Sequence, residues 1–148
     1  MKNEWFKQSS KRAGRTPDTS PSTASPSRNT KVGEDGEDFV VHYLEKAGYH
    51  ILARNISWRG GEIDIIAQRE ETVCFIEVKT RHTTYFSLST VVTPTKQQKI
   101  IATARRYISS ASLRDVIIQF DIALVERCKD EWYITYLPNA FTAPSENN

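Results

Sequence analysis

Two short apolar runs, each interrupted by one carboxylate, constrain this chain more than any other feature. Ile63-Asp64-Ile65-Ile66-Ala67 and Val73-Cys74-Phe75-Ile76-Glu77-Val78 are rich in β-branched residues, so both read as buried strands. The Arg69-Glu70-Glu71-Thr72 stretch between them is polar and of hairpin-loop length, which makes the strands antiparallel neighbours. A buried carboxylate is costly without a cation or a partner to neutralise it, so these two acids require a reason. If Arg69 pairs with Thr72, the register sets Asp64 opposite Glu77 and Glu62 opposite Lys79. Opposed residues share a face with Cβ atoms roughly 4.5 to 5.5 Å apart, near enough to share one cation. A one-residue slip would instead send Glu77 to the other face.

On a shared face Asp64 and Glu77 repel each other. A bound Mg²⁺ removes that penalty, because this hard cation takes carboxylate oxygens and water and leaves positions for a phosphate. With Lys79 beside them, the two carboxylates have the layout of a one- or two-metal phosphodiesterase site. A plainer alternative has Lys79 lying along a strand end to pair with Glu62.

At 148 residues, 39% hydrophobic and 26% charged, the chain suits one soluble globular domain with appendages. Nothing resembles a membrane span, and Met1–Ser10 lacks the apolar core of a secretory signal, so a cytoplasmic location is expected. Cys74 and Cys128 form no metal-ligand spacing and read as thiols. Charge is split: residues 1–31 hold seven Lys/Arg against two acids, while residues 32–148 hold 13 against 16. Such a basic arm either attracts nucleic acid phosphates or serves as a solubilising tail. From Thr16 to Thr30, 11 of 15 residues are Ser, Thr or Pro, too polar to bury a core, so residues 1–31 are expected to be a disordered arm. The folded domain is expected over 32–138 and a flexible tail over 139–148.

Within that domain Phe39, Val40, Tyr43, Leu44 and Ala47 recur at helical spacing before Gly48, which predicts a helix over about 34–47. Glu37 falls at the N-terminal end of its buried stripe and can look into the domain, although a first-turn acid is also favoured simply by the helix dipole. Tyr49–Asn55 predicts a strand ahead of the two described. Thr93 and Pro94 predict the start of a second helix carrying Ile100, Ile101, Ala104, Tyr107 and Ile108 on one side. Strands over Val116–Val125 and Trp132–Leu137 complete an α-β-β-β-α-β-β order, a mixed α/β fold. Asp121, inside an apolar run, is expected to fix a local turn or pair with a basic residue. His42, His50 and His82 share no ligand spacing and read as surface or packing residues. Trp58, in a turn beside Arg59, is expected to plug the core edge, with stacking on an exposed base as the alternative. Lys96-Lys99 and Arg105-Arg106 of the second helix are expected on a solvated face, with phosphate binding as the alternative.

Gly36-Glu37, Gly48-Tyr49, Asn55, Gly61 through Ala67, Phe75 through Arg81, Lys96 and Phe120-Asp121 together resemble the YraN-like family of uncharacterised bacterial proteins. That family is similar to the restriction-endonuclease-like nucleases and, among them, to the archaeal Holliday-junction resolvases. The resemblance covers about Val32 to Tyr136. It implies a restriction-endonuclease-like mixed β-sheet flanked by α-helices, with Glu37, Asp64, Glu77 and Lys79 as the catalytic residues. It also implies Mg²⁺ or Mn²⁺ held by Asp64, Glu77, the Val78 carbonyl and Glu37. The activity implied is an endonuclease hydrolysing nucleic acid, DNA of branched shape above all, as a homodimer that cuts two strands symmetrically. The chain departs from the family pattern at Val40, where a small residue is usual, at Phe86-Ser87-Leu88-Ser89, where a Gly-containing turn is usual, and at Gln119, where an arginine is usual. The alternative is a non-catalytic nucleic-acid-binding or partner-binding protein that kept the fold.

Overall fold

The computed structural model describes residues 8–9, 28–81 and 92–145. A two-residue strand, β1 (Gln8–Ser9), precedes α1 (Arg28–Lys46), β2 (His50–Trp58), β3 (Gly61–Arg69), β4 (Thr72–Arg81), α2 (Pro94–Ser110), β5 (Ile117–Cys128) and β6 (Glu131–Phe141). After β1, this is the expected α-β-β-β-α-β-β order. The strands form one mixed sheet, ordered β1-β6-β5-β4-β3-β2. All neighbours are antiparallel except β4 and β5, which run parallel and are joined by the α2 crossover.

Each helix covers one face. Phe39, Val40 and Leu44 of α1 pack on Ile65, Ala67, Cys74, Ile76 and Val78. Ile100, Ile101 and Ala104 of α2 pack on Ile66, Val73, Phe75, Phe120 and Ile122. Central β4 is therefore buried on both sides, which is why its sequence reads as an unbroken apolar run instead of an alternating one. Helix α1 ends where Gly48 adopts φ 86, with the Gly48 and Tyr49 amides bonded to the Glu45 and Leu44 carbonyls. Helix α2 starts as its sequence signals: the Thr93 hydroxyl accepts from the Lys96 amide at 3.3 Å, and Pro94 occupies the first turn.

Several boundaries differ from expectation: β2 runs on to Trp58 instead of ending at Asn55, and β5 to Cys128 instead of Val125. Helix α1 begins at Arg28 instead of about residue 34, since the last proline, Pro26, lies just before it and nothing beyond bars helical geometry. Gln8 and Ser9 pair with Trp132 and Glu131, so two pieces of the expected arm belong to elements. The rest of that arm lies outside the described residues, as do His82 and the 86–89 departure. At the other end β6 passes Leu137 and continues to Phe141, into the expected tail. Asp121 makes this possible. Fully buried, it accepts hydrogen bonds from the Asn139 amide at 2.9 Å, the Tyr136 hydroxyl at 2.6 Å and the Gln119 side chain at 2.9 Å. The bonds hold a bulge around Asn139, at φ 51, so that Phe141 returns to stack on Phe120 at 5.1 Å. Asp121 thus fixes a local turn, the first of its two expected roles, through three donors that are all neutral. Burial, and then Asp121 nearby, push the Cys74 thiol up to about 12. No helix among the described residues is long and apolar enough to cross a membrane.

Candidate active site

Strands β3 and β4 pair from Arg69–Thr72 through Ile65–Ile76. The register is the expected one, and the slipped alternative is excluded. Beyond Ile65–Ile76, however, the ladder stops, so Asp64–Glu77 and Glu62–Lys79 are not the cross-strand partners that extrapolation of the register gives. In place of a backbone acceptor, the Asp64 Oδ2 atom takes the Val78 amide at 2.7 Å. The disturbance centres on Asp64. Asn55, between the pairs Arg54–Ile65 and Ile56–Ile63 and so facing Asp64 across β2, has φ 51. Ile63 and Ile65, which regular alternation would place on one face, enter opposite cores. The sheet opens there, beyond the end of the β3–β4 ladder.

The opening is a cavity of about 470 Å³ whose walls include Glu37, Asp64, Glu77, Val78, Lys79 and Lys96. All four residues expected to be catalytic, and the expected Val78, face this one space. Glu77 is only 4% exposed. Its Oε1 atom accepts from the Lys79 ammonium at 2.7 Å and also from Lys96, so two cations neutralise a buried charge. Lys79 therefore pairs with Glu77 and not with Glu62, because the strands part before reaching Glu62. Burial foremost, then repulsion from Glu77 and, less, from Glu37, drives the Asp64 carboxyl up to about 7 against the opposing pull of the Val78 amide and Lys79. For Lys96, burial is the largest single influence and opposes the charge, yet the hydrogen bonds to Glu77 and Lys79 and the charges of Glu77 and Asp64 together outweigh it, and the net direction is upward.

Glu37 reaches the cavity from α1. Burial raises its carboxyl, while a hydrogen bond from Asn55 and the charge of Arg54 pull it back. Arg54 lies 2.7 Å from Asp38 and 3.7 Å from Glu37, tying the middle of α1 to β2. Sequence reasoning gave no role to Asn55 or Arg54, and read Lys96 as part of a solvated face or a phosphate contact, not as a partner of Glu77. For Lys96 a signal existed: it lies three residues past the Thr93 cap, in a first turn without an acid. Asn55 carried a weaker one, as asparagine tolerates the left-handed region in mid-strand.

The other candidates lie elsewhere. His42 faces Glu45 at 4.0 Å and His50 is exposed. Trp58, the last residue of β2 and paired with Gly61, joins neither core, contrary to expectation, and the Arg59 guanidinium covers its ring at 4.8 Å.

As donors, Asp64 and Glu77 suit a hard divalent cation, with Glu37 near enough to raise the Asp64 pKa. A cation would relieve the crowding that holds a proton on Asp64. Among the described residues no group of three or more Asp, Glu, His or Cys side chains converges tightly enough to hold a metal. Mg²⁺ is commonly held by one or two carboxylates with water completing its shell.

The model of the uncharacterised protein family UPF0102 matches residues 36–125, a span that includes Glu37, Asp64, Glu77, Lys79 and Lys96. The chain belongs to UPF0102. A UPF0102 protein of Myxococcus xanthus is 34% identical over 121 residues, 81% of this chain and 96% of the relative. Those of Geobacter sulfurreducens and Clostridium perfringens are each 39% identical, covering 76% of this chain and 90% and 95% of their own lengths. UPF0102 is the YraN-like family to which the sequence motifs pointed, and its description carries no activity.

Proposed function

We propose that this UPF0102 protein is a metal-dependent endonuclease that hydrolyses nucleic acid phosphodiester bonds, with branched DNA as its foremost substrate. The observation that carries the reading is the opening of the sheet at Asp64, which gathers Asp64, Glu77, Glu37 and Lys79 around one water-accessible cavity. A divalent cation, Mg²⁺ or Mn²⁺, held by Asp64 and Glu77 with Glu37 and the Val78 carbonyl nearby, would supply charge neutralisation at the phosphate and a more acidic water. The chain's own groups do the rest. Asp64 is oriented by the Val78 amide, and Glu37 by Asn55 and Arg54. Lys79, two residues beyond Glu77, orients the attacking water or neutralises charge that develops on the phosphoryl oxygens. Lys96 holds Glu77 from the α2 side and keeps its carboxylate in a fixed direction.

One observation favours a second reading. Glu77 is already neutralised by two ammonium groups, as a purely structural ion cluster would be in a nucleic-acid-binding or partner-binding protein that kept the fold. Cleavage separates the two. Four-way junction, flap and plain duplex substrates are incubated in Mg²⁺, in Mn²⁺ and in chelator, with wild type and Lys79→Ala. The nuclease reading expects metal-dependent cleavage that falls by roughly two orders of magnitude or more in Lys79→Ala, the scale for loss of one charge-stabilising group. Absence of cleavage on every substrate in both metals would favour the binding protein.

A further inference from the structure

A second cavity, of about 330 Å³, adjoins the carboxylate cleft and shares Glu62 and Lys96 with it. One wall is the Gly60-Gly61 turn and the other is the start of α2, with Thr95 and Lys99. Gly61 is buried and in contact with α2: a Cβ added there would meet the Lys99 carbonyl oxygen at 2.6 Å. The buried Thr103 side chain and the Lys99 backbone together close on Gly61 and set the floor of this groove.

Its charged lining residues are Lys96, Lys99 and Glu62. Lys96 is committed to Glu77, but Lys99, one helical turn on and exposed, forms no ion pair with a carboxylate among the described residues. Just outside the lining, next to Gly60 in the chain, exposed Arg59 lies over Trp58 and likewise forms no ion pair with a carboxylate among the described residues. Among the described residues Glu62 is the only acid on the cavity walls. By strand alternation Trp58 lies on the same side of β2 as Ile56, which packs in the α2 core. Cations beside an aromatic ring, continuous with a cleft that takes a phosphate, match the needs of a nucleic acid strand, whose charge repeats and whose unpaired bases stack.

We propose that this groove is the track for an unpaired nucleic acid strand leading away from the scissile phosphate, with Lys99 and Arg59 each neutralising a phosphate of that strand and Trp58 stacking on a base. The proposal rests on the nuclease reading of the adjoining cleft and adds to it the form of the substrate there, single-stranded beside the cut. No group in the track touches the reacting atoms, so binding can be read with cleavage switched off.

The test is binding of a short labelled single-stranded oligonucleotide in chelator across a salt series, by fluorescence anisotropy. Tryptophan quenching by the unlabelled strand is followed in parallel. Wild type, Lys99→Gln, Arg59→Gln, Trp58→Phe and a control, Arg127→Gln at the distant β5–β6 turn, are compared. Removing one cation that neutralises a phosphate should flatten the slope of log affinity against log salt by about 0.7. Lys99→Gln and Arg59→Gln are therefore each expected to flatten it by that amount and to weaken binding by the same factor on every sequence. Trp58→Phe is expected to lose the quenching, and Arg127→Gln to follow wild type. Salt-dependent binding by wild type with unchanged slopes in Lys99→Gln and Arg59→Gln would overturn the track and leave the cleft reading intact. No salt-dependent binding by wild type would also overturn the track, while the cleft would still be judged by the cleavage assay.

Discussion

Asp64 concentrates the chemistry of this protein in one side chain. Burial and neighbouring carboxylates hold its pKa at about 7 instead of the ordinary 3.8, so the folded protein keeps a proton that the unfolded chain has already released between those values. Folded protein then binds more protons than unfolded, and metal-free stability is expected to fall as pH rises from about 4 to about 7. A divalent cation must displace the same proton. Its affinity is therefore expected to climb with pH up to about 7 and level off above, which calorimetry at several pH values would show. Asp64→Asn removes the repulsion but retains a carbonyl acceptor for the Val78 amide, so thermal unfolding without metal at pH 8 is expected at or above the wild-type temperature. A marked loss of stability in Asp64→Asn would mean that the charge is wanted for the fold and not for a ligand. Asp121 has the opposite character, since its three donors are internal. Asp121→Ala strands the Asn139 amide and Tyr136 hydroxyl, and should cost about 1–3 kcal/mol for each group left buried and unpaired, read from denaturant unfolding.

Among the elements, each helix is seated near the cleft by a glycine. Gly36 of α1 is buried against the Thr80 side chain, one residue from Glu37, and Gly61 of β3 is buried against α2 at Lys99 and Thr103. Gly61→Ala must displace helix backbone and should cost about 1–3 kcal/mol, the scale of overpacking. Gly36→Ala presses on a side chain and gains helix propensity of about 1 kcal/mol, so its stability should change less while Glu37 is pushed from its place. The expected signature of Gly36→Ala is weaker metal uptake at nearly unchanged melting temperature. Period and punctuation made most elements legible in the sequence. The α1 stripe, the Thr93-Pro94 start of α2 and the polar Arg69–Thr72 link each state a local preference that the fold honours. What stayed hidden is non-local. The break in the β3–β4 ladder at Asp64 coincides with a left-handed residue on a different strand, Asn55. The extension of β6 past Pro138 depends on an aspartate 18 residues earlier. Lys96 was visible as a helix-start residue, but its bond to Glu77 spans 19 residues and follows from the crossover.

Across the whole molecule, α1 and α2 cover opposite faces of one sheet yet deliver Glu37 and Lys96 to the same opening, beyond the end of the β3–β4 ladder. The break in pairing is what lets both faces reach one cavity. Both long edges are blunted, β2 by the irregularity near Leu52 and the turn of Asn55, β6 by the Asn139 bulge and by Pro138, so a homodimer, if formed, is expected to join through side chains and not by continuing the sheet. Everything proposed for the cleft depends on the cavity around Asp64 taking a divalent metal. Titrating Mn²⁺ into metal-free protein and following the free ion by electron paramagnetic resonance tests this without requiring a substrate. Saturable uptake by wild type, displaced by Mg²⁺ and lost in Asp64→Asn at equal foldedness, is the predicted result; folded wild type that takes up no Mn²⁺ would contradict it.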